Sequence, residues 1–364
     1  MAVKKEHLPG GLLLAVVALA VLIAGCSSTH PVSAETQLPP GGILITGAGS
    51  TFDAPLFKRW FTVYHDTRPN IVIKYAAVGS GEGVRRFIGT NIPEDQVIDF
   101  GASDAAMSDA ELAQTNNNTL MVPVTSACVV LAYNLPNFHG DLKLSRQAYA
   151  GIFLGEIKNW NDPLIAKSNP GIRLPNHTIV TVVRQDNSGT TFAFTNNLSA
   201  INDRFRSLFG AAMLVNWPGD AMRGKGSEGV GGLIQKSEGS IGYVGYEFAS
   251  RLGLDMAALE NKEGKFVQPS QQSCQDGLAR APLPDNLRAF VPDPTGADSY
   301  PIVTFSWVLL RKGNNNQAAI PLRELFTWCL QDGQRYASQL GYVPLPQPVV
   351  QKALAAVNAI SPGG

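Results

Sequence analysis

The run Ile43-Leu44-Ile45-Thr46-Gly47-Ala48-Gly49-Ser50-Thr51-Phe52-Asp53-Ala54-Pro55 decides how the rest of the chain is read. An apolar, β-branched start gives way to glycines and hydroxyls, and then Leu56, Trp60 and Tyr64 recur at helical spacing. A second β-rich run follows at residues 71–75, so the segment reads strand, helix, strand. Further strand-like runs at 128–133, 179–183, 241–244 and 302–310 alternate with helical stretches. That alternation predicts an α/β architecture with largely parallel sheets. No repeat with a period of about 20 to 50 residues is present, which argues against a solenoid.

The junction between the first strand and its helix has three counterparts. They are Gly79-Ser80-Gly81-Glu82-Gly83, Gly101-Ala102-Ser103-Asp104 and Arg184-Gln185-Asp186-Asn187-Ser188-Gly189-Thr190-Thr191. A helix start offers unpaired N–H groups and the positive end of the helix dipole. Small residues let an anion approach that backbone, and hydroxyls add donors. One such junction is an ordinary cap or turn. Four in one chain, one carrying Arg184 and another Asp104, predict a site for a small oxyanion. A nucleotide-binding P-loop is excluded because no Gly-Lys-Ser/Thr ending follows any of them.

The N-terminus reads as an export signal. Lys4 and Lys5 precede an apolar run at 12–24, about 13 residues long and too short to span a bilayer. The run ends in Ile23-Ala24-Gly25-Cys26, which resembles a bacterial lipobox. Residues 1–25 are therefore expected to be a lipoprotein signal peptide, with Cys26 acylated and held in membrane lipid by its chains. The alternative is an ordinary cleaved signal with a chance cysteine. Residues 26–42, rich in Pro, Ser, Thr and Gly, read as a flexible tether.

The remaining stretch of about 320 residues exceeds the size at which one core usually stops growing, and so predicts two lobes. The 29 basic and 29 acidic residues balance, and loss of the signal leaves a net charge of minus one. That balance leaves no electrostatic footprint for nucleic acid. Beyond Cys26, only Cys128, Cys274 and Cys329 remain, so at most one intramolecular disulfide forms. Cys128, leading an apolar run, reads as a buried thiol. Whether Cys274 pairs with Cys329 is open at this point.

Taken in order, the motifs resemble the phosphate-binding proteins of the bacterial Pst transporter, the PstS type. The resemblance rests on residues 47–52 with Ala54-Pro55, on Val78-Gly79-Ser80-Gly81 and on Asp99-Phe100-Gly101-Ala102-Ser103-Asp104. Residues 152–160, 184–192, 239–244 and 301–304 continue it. It implies a type II periplasmic-binding-protein fold, two α/β lobes with a ligand cleft between them. Lobe I is expected at 43–126 plus 297–364 and lobe II at 127–296. It also implies a monomeric, cofactor-free and metal-free binding protein outside the cytoplasmic membrane, in the periplasm or at the cell surface. Such a protein passes inorganic phosphate to the permease subunits of an ABC transporter.

Carried over position by position, the resemblance gives Thr51 a hydroxyl and backbone contact to phosphate and Phe52 a backbone N–H contact. It adds Ser80, Arg184, Ser188, Gly189 and Thr190 as donors. Asp104 would accept the ligand's proton, and Asp186 would hold the fork of Arg184. Phosphate has a proton to give to Asp104 and sulfate has none, a mismatch that can discriminate by about four orders of magnitude.

Two other roles compete for Asp104 and Ser108. Asp104 could cap a helix beginning at Ala105, whereas Ser108 fits a capping box with Glu111. Two residues depart from the family pattern: Asp53 stands where proline is usual and Glu82 where a small residue is usual. Both are expected to face solvent, because unpaired buried charges are costly. The alternative function is a secreted phosphate-ester hydrolase. It lacks support, since His30, His65, His139 and His177 show no metal-pair spacing and Ser188 has no histidine nearby in sequence.

Overall fold

The computed structural model describes residues 38–362, apart from 139–140, 282 and 315–316. The expected signal peptide, Cys26 and most of the tether lie outside the described residues. The main sheet has nine strands: β1 (Ile43–Gly49), β2 (Ile71–Ala77), β3 (Phe100–Ser103), β4 (Thr119–Asn134), β5 (Val180–Arg184), β6 (Met222–Gly224), β7 (Ser240–Gly245), β8 (Asp255–Met256) and β9 (Val303–Arg311). All six runs read as strands from the sequence are found here. The spatial order is β2-β1-β3-β9-β4-β7-β5-β6, with β8 also paired to β4.

The two ends of the sheet are parallel and its middle is not. Strand β1 pairs parallel with β2 and β3, and β5 pairs parallel with β6 and β7. Between them β9 runs antiparallel to β3 and β4, and β4 runs antiparallel to β7. The expectation of largely parallel sheets therefore holds only for the flanks. The centre differs because β4, 16 residues long and buried over nearly its whole length, serves both halves. Residues up to Cys128 pair with β9, and from Val129 onward they pair with β7. The fold is of the type II periplasmic-binding-protein class, with two α/β lobes and a cleft between them.

Helix α1 (Ala54–Thr67) buries Leu56, Phe57, Trp60, Phe61 and Tyr64, a stripe at the spacing of one helical face. Pro55 in its first turn costs no hydrogen bond, since that N–H has no intrahelical partner. Helix α2 (Ser80–Ile88) ends at Gly89, whose left-handed backbone closes it. Helix α3 (Asp109–Ala113) starts at the Ser108–Glu111 capping box read from the sequence. Ser108 is thus the cap, and Asp104 caps no helix. Among the described residues, no helix is long and apolar enough to cross a membrane.

One cysteine assignment is corrected. Cys128 is buried, but it is bonded to Cys274 on the helix Gln271–Ala279, and Cys329 is the buried free thiol. The reason is topological: the point at which β4 changes partners lies against that helix, bringing the two Cα atoms within 5.7 Å although 146 residues separate them. No local signal could pair them. Replacing both Cys128 and Cys274 by Ala should lower the unfolding free energy by about 2–4 kcal/mol, read from denaturant midpoints at unchanged slope. An unshifted midpoint would mean that the crosslink constrains nothing.

Candidate functional site

The four junctions converge. The Ser50 hydroxyl, just after β1, accepts from the N–H groups of Phe52 (3.1 Å) and Asp53 (3.2 Å) and donates to Asp104 Oδ1 at 2.5 Å. From the end of β3, the Asp104 N–H donates to the Ser80 hydroxyl at the start of α2 (3.3 Å). Helix α4 (Gly189–Ile201) arrives from the other half of the sheet, and the Thr190 hydroxyl donates to Asp104 Oδ2 at 3.2 Å. Ser50, Phe52, Ser80, Asp104, Arg184, Ser188 and Thr190 are each at most 3 % exposed, so the constellation is shielded from water.

Arg184 ends β5 and its guanidinium is fixed by Asp186. Nε donates to Asp186 Oδ1 at 2.9 Å and Nη2 to Oδ2, and the Gly226 N–H donates to the same Oδ1 at 2.9 Å. Burial alone would raise the Asp186 carboxyl, but the hydrogen bonds and charge of Arg184 outweigh it and hold the group below the usual range. That anchor therefore persists above the ordinary carboxylate pKa and is lost only as pH falls below it. The Arg184 N–H donates to the Tyr243 hydroxyl (3.1 Å), which shares a hydrogen bond with Thr191 (2.9 Å). These bonds lock the turn that carries the guanidinium.

Ser188 is the N-cap of α4, its hydroxyl accepting from the Thr191 N–H at 3.2 Å. A hydroxyl with both lone pairs and a proton can hold that cap and still donate outward. The Phe52 N–H is directed at Ser50, so of the two contacts expected at the first junction Thr51 is the one that reaches across. Thr51 Oγ1 accepts from the Ser227 N–H at 3.1 Å and bonds its hydroxyl at 3.1 Å. Ser227 lies in the first turn of α5 (Gly226–Lys236). Beside it a pocket of 270 Å³ opens between Thr51, Asp186 and Lys225.

The two halves meet through glycine. A Cβ added at Gly189 would lie 2.8 Å from the Cβ and N of Asp104 and from the Ser80 hydroxyl. At Gly79, whose φ is +96°, it would lie 2.5 Å from Asp186 Oδ2. The Gly81 N–H also donates across to the Asn187 carbonyl at 3.2 Å.

The two acidic departures behave differently. Glu82 stays at the surface, where Arg85 and Arg86 donate to it at 2.7–2.8 Å. Arg85 chiefly, helped by Arg86, brings its carboxyl down to about 2. Asp53 contradicts the expectation of solvent exposure: it is 0 % exposed, with Oδ2 hydrogen-bonded to the Ser306 hydroxyl at 2.7 Å and Oδ1 without a partner among the described residues. Burial first, and the nearby charge of Asp104 second, raise its carboxyl well above the usual range. Asp104 is also raised by burial, against the pull of Ser50, Arg184, Ser306 and Thr190.

The sequence reading missed Ser50, Ser227, Tyr243 and Ser306. Ser50 lay inside the first motif. Ser227 follows Gly224-Lys225-Gly226, a fifth junction of the same small, hydroxylated type. Ser306 had no signal, because it reaches the site from β9. There the pairing with β4 shifts register between Ser306 and Trp307, and such a bulge re-aims side chains.

With this geometry in place, relatives can be compared. The profile of the PBP superfamily domain matches residues 28–332. The phosphate-binding protein PstS of Pasteurella multocida is 38 % identical over 340 residues, covering 92 % of this chain and 94 % of that protein. Its namesake in Haemophilus influenzae is 37 % identical over 310 residues, covering 84 % and 90 %. The chain belongs to the PstS family. Among solved structures, a high affinity periplasmic phosphate-binding protein with bound phosphate superposes with a TM-score of 0.71 at 21 % identity, covering 86 % of this chain and 93 % of that one. A phosphate-binding protein from Stenotrophomonas maltophilia gives 0.66 at 18 % identity, covering 86 % and 94 %. At these identities the solved structures establish the shared fold, and PstS membership rests on the sequence relatives.

Gly189→Ala should prop the halves apart. The backbone there needs no positive φ and alanine is a good helix former, so α4 itself survives. Small-angle scattering should register a larger radius of gyration than for the parent protein. An unchanged radius would show that the halves tolerate the methyl group.

Proposed function

We propose that this chain is the extracytoplasmic binding component of an ABC importer for inorganic phosphate. The observation that carries the reading is the state of Asp104. Oδ1 accepts from Ser50 and Ser306, while Oδ2 meets only the Thr190 hydroxyl and faces the half that carries Arg184. A carboxylate set among donors repels an oxyanion unless the oxyanion brings a proton to share. Phosphate at neutral pH brings one and sulfate does not.

The remaining charge is met by the two-pronged Arg184 and by hydroxyl and N–H dipoles from Thr51, Phe52, Ser80, Ser188, Gly189 and Thr190, with Asp186 as the anchor. Charge-assisted hydrogen bonds of this kind contribute about 1.5–3 kcal/mol each. The Phe52 N–H would turn from Ser50 to the ligand. The PstS names of the relatives support the assignment. Acylated Cys26 would hold the monomer to a membrane facing the periplasm or cell surface, and the permease subunits would receive the phosphate. The lobes would pivot where β4 changes partners, with lobe I at 43–126 plus 297–364 and lobe II at 127–296.

Among the described residues, hydrolysis of phosphate esters finds no machinery beside Ser188. Its hydroxyl caps α4, the His65 ring bonds the Ile71 carbonyl at 2.9 Å, and His177 packs against Gly239. Among the described residues, no cluster of three or more His, Cys, Asp or Glu could hold a metal ion.

Calorimetry on protein stripped of bound phosphate, titrated with phosphate, sulfate and a phosphate ester, tests the proposal. Phosphate should bind far more tightly than the others, and Arg184→Ala should weaken it at least about tenfold with the fold intact. Equal affinity for sulfate would reject the reading. For Asp104→Asn the orientation of the amide is dictated, since Ser50 and Ser306 require an oxygen at Oδ1 and so place the NH₂ toward Thr190 and the ligand. The phosphate-over-sulfate ratio should narrow at least about tenfold. A preserved ratio would remove Asp104 from selectivity.

A further inference from the structure

We infer that Asp53 is a positioning residue that stays protonated, donates through Ser306, and thereby fixes Asp104 as a proton acceptor toward the ligand. The inference rests on the phosphate reading of the site. Its basis is a count of protons in a closed network.

Ser50 has one proton to give and two lone pairs to fill. The Phe52 and Asp53 N–H groups fill the lone pairs, so the proton goes to Asp104 Oδ1 at 2.5 Å. Ser306 also has one proton and faces three acceptors: Asp53 Oδ2 at 2.7 Å, Asp104 Oδ1 at 3.1 Å and the Ser103 carbonyl at 3.4 Å. If both carboxylates were ionised, one of them would face the lone pairs of Ser306. Asp53 Oδ1, which has no partner and no exposure, would then be a bare anionic oxygen in the interior.

Reversing the roles does not help. A proton on Asp104 Oδ1 would oppose the proton of Ser50, and an ionised Asp53 would still have the bare Oδ1. One arrangement keeps Asp104 an acceptor and leaves no charged oxygen bare. Asp53 Oδ2–H donates to Ser306 Oγ, and Ser306 Oγ–H donates to Asp104 Oδ1. Asp53 Oδ1 is then the carbonyl of a neutral acid, whose missing partner costs far less than a missing partner for a charge.

The surroundings agree. Arg184 favours the ionised form of Asp104, whereas Asp53 has beside it the acid Asp104, the hydroxyls of Ser306 and Ser50, and the electrostatically linked Glu247, Tyr75 and Tyr342. None of these supplies a positive charge. With Ser50 and Ser306 both on Oδ1, Asp104 offers Oδ2, which the Thr190 hydroxyl meets at 3.2 Å, to the ligand's P–O–H.

Two measurements test this. Asp53→Ala removes the donor to Ser306 and frees that hydroxyl to turn to the Ser103 carbonyl. The phosphate-over-sulfate ratio should then fall about tenfold, and Asp53→Asn, whose NH₂ can still donate to Ser306, should restore it to within about threefold. A side chain that merely filled space would show no such rescue. Infrared spectra of the full chain at neutral pH should contain a protonated-carboxyl C=O band that disappears in Asp53→Asn, a readout that does not depend on the alanine variant folding. An absent band, or an asparagine variant as damaged as the alanine one, would overturn the inference. If the unmodified protein binds no phosphate, the reading of the site fails instead, and the infrared band alone then decides the protonation of Asp53.

Discussion

A charge withdrawn from water must find its partners inside the protein, and the cleft of this chain is organised around that constraint. Three ionisable side chains meet there with at most 3 % exposure: Asp53, Asp104 and Arg184. Each meets the constraint in its own way. Arg184 is paired with Asp186, Asp104 gathers hydroxyl donors, and Asp53 has neither a cation nor a full set of donors. Removing the charge is the remaining course for Asp53. The buried positions of these groups follow from the topology. Strand β1 lies between β2 and β3, so the loops after β1 and β3 open side by side, and β9 runs along the far side of β3.

The same constraint explains why so many residues around the site are small. A hydrogen-bonding backbone can replace water around an anion only if nothing stands between them. Gly189 presses directly on Asp104 and Ser80, and Gly79 on Asp186, at separations no side chain could occupy. Where the halves touch near the site, hydrogen bonds join Thr51 with Ser227, Gly81 with Asn187, and Thr190 with Asp104. Water can take over each of these at little cost when the halves separate. A tightly packed apolar seam in the same place would resist opening.

Much of this was legible in the sequence, because a helix start carries its information locally. The strands, the α1 stripe of Leu56, Trp60 and Tyr64, the Ser108–Glu111 capping box and the four junctions each depend on residues within a turn or two of one another. What was not legible depends on long-range pairing. The antiparallel middle of the sheet, the Cys128–Cys274 bond and the arrival of Ser306 at Asp104 join residues at least 106 positions apart. Asp53 was misjudged for a different reason. The cost of a buried charge was correctly weighed, but exposure is only one way to avoid it, and the carboxyl can instead keep its proton.

That last point bears on how selectivity and release coexist. A site made of several cations would hold any tetrahedral anion strongly and give it up slowly. Here the one guanidinium is already paired with Asp186, and the remaining attraction comes from dipoles, which act at short range and only in the closed geometry. On the proposed reading discrimination is left to Asp104, and a carboxylate discriminates only while it accepts a proton and does not give one. Ser50 and Ser306 hold one of its oxygens in that role, each with the single proton it owns. Ser306 is free to do so only if its other neighbour, Asp53, needs no proton from it. On that reading the selectivity of the cleft would trace back to Asp53, a side chain behind the ligand-binding groups whose contribution is to remain uncharged.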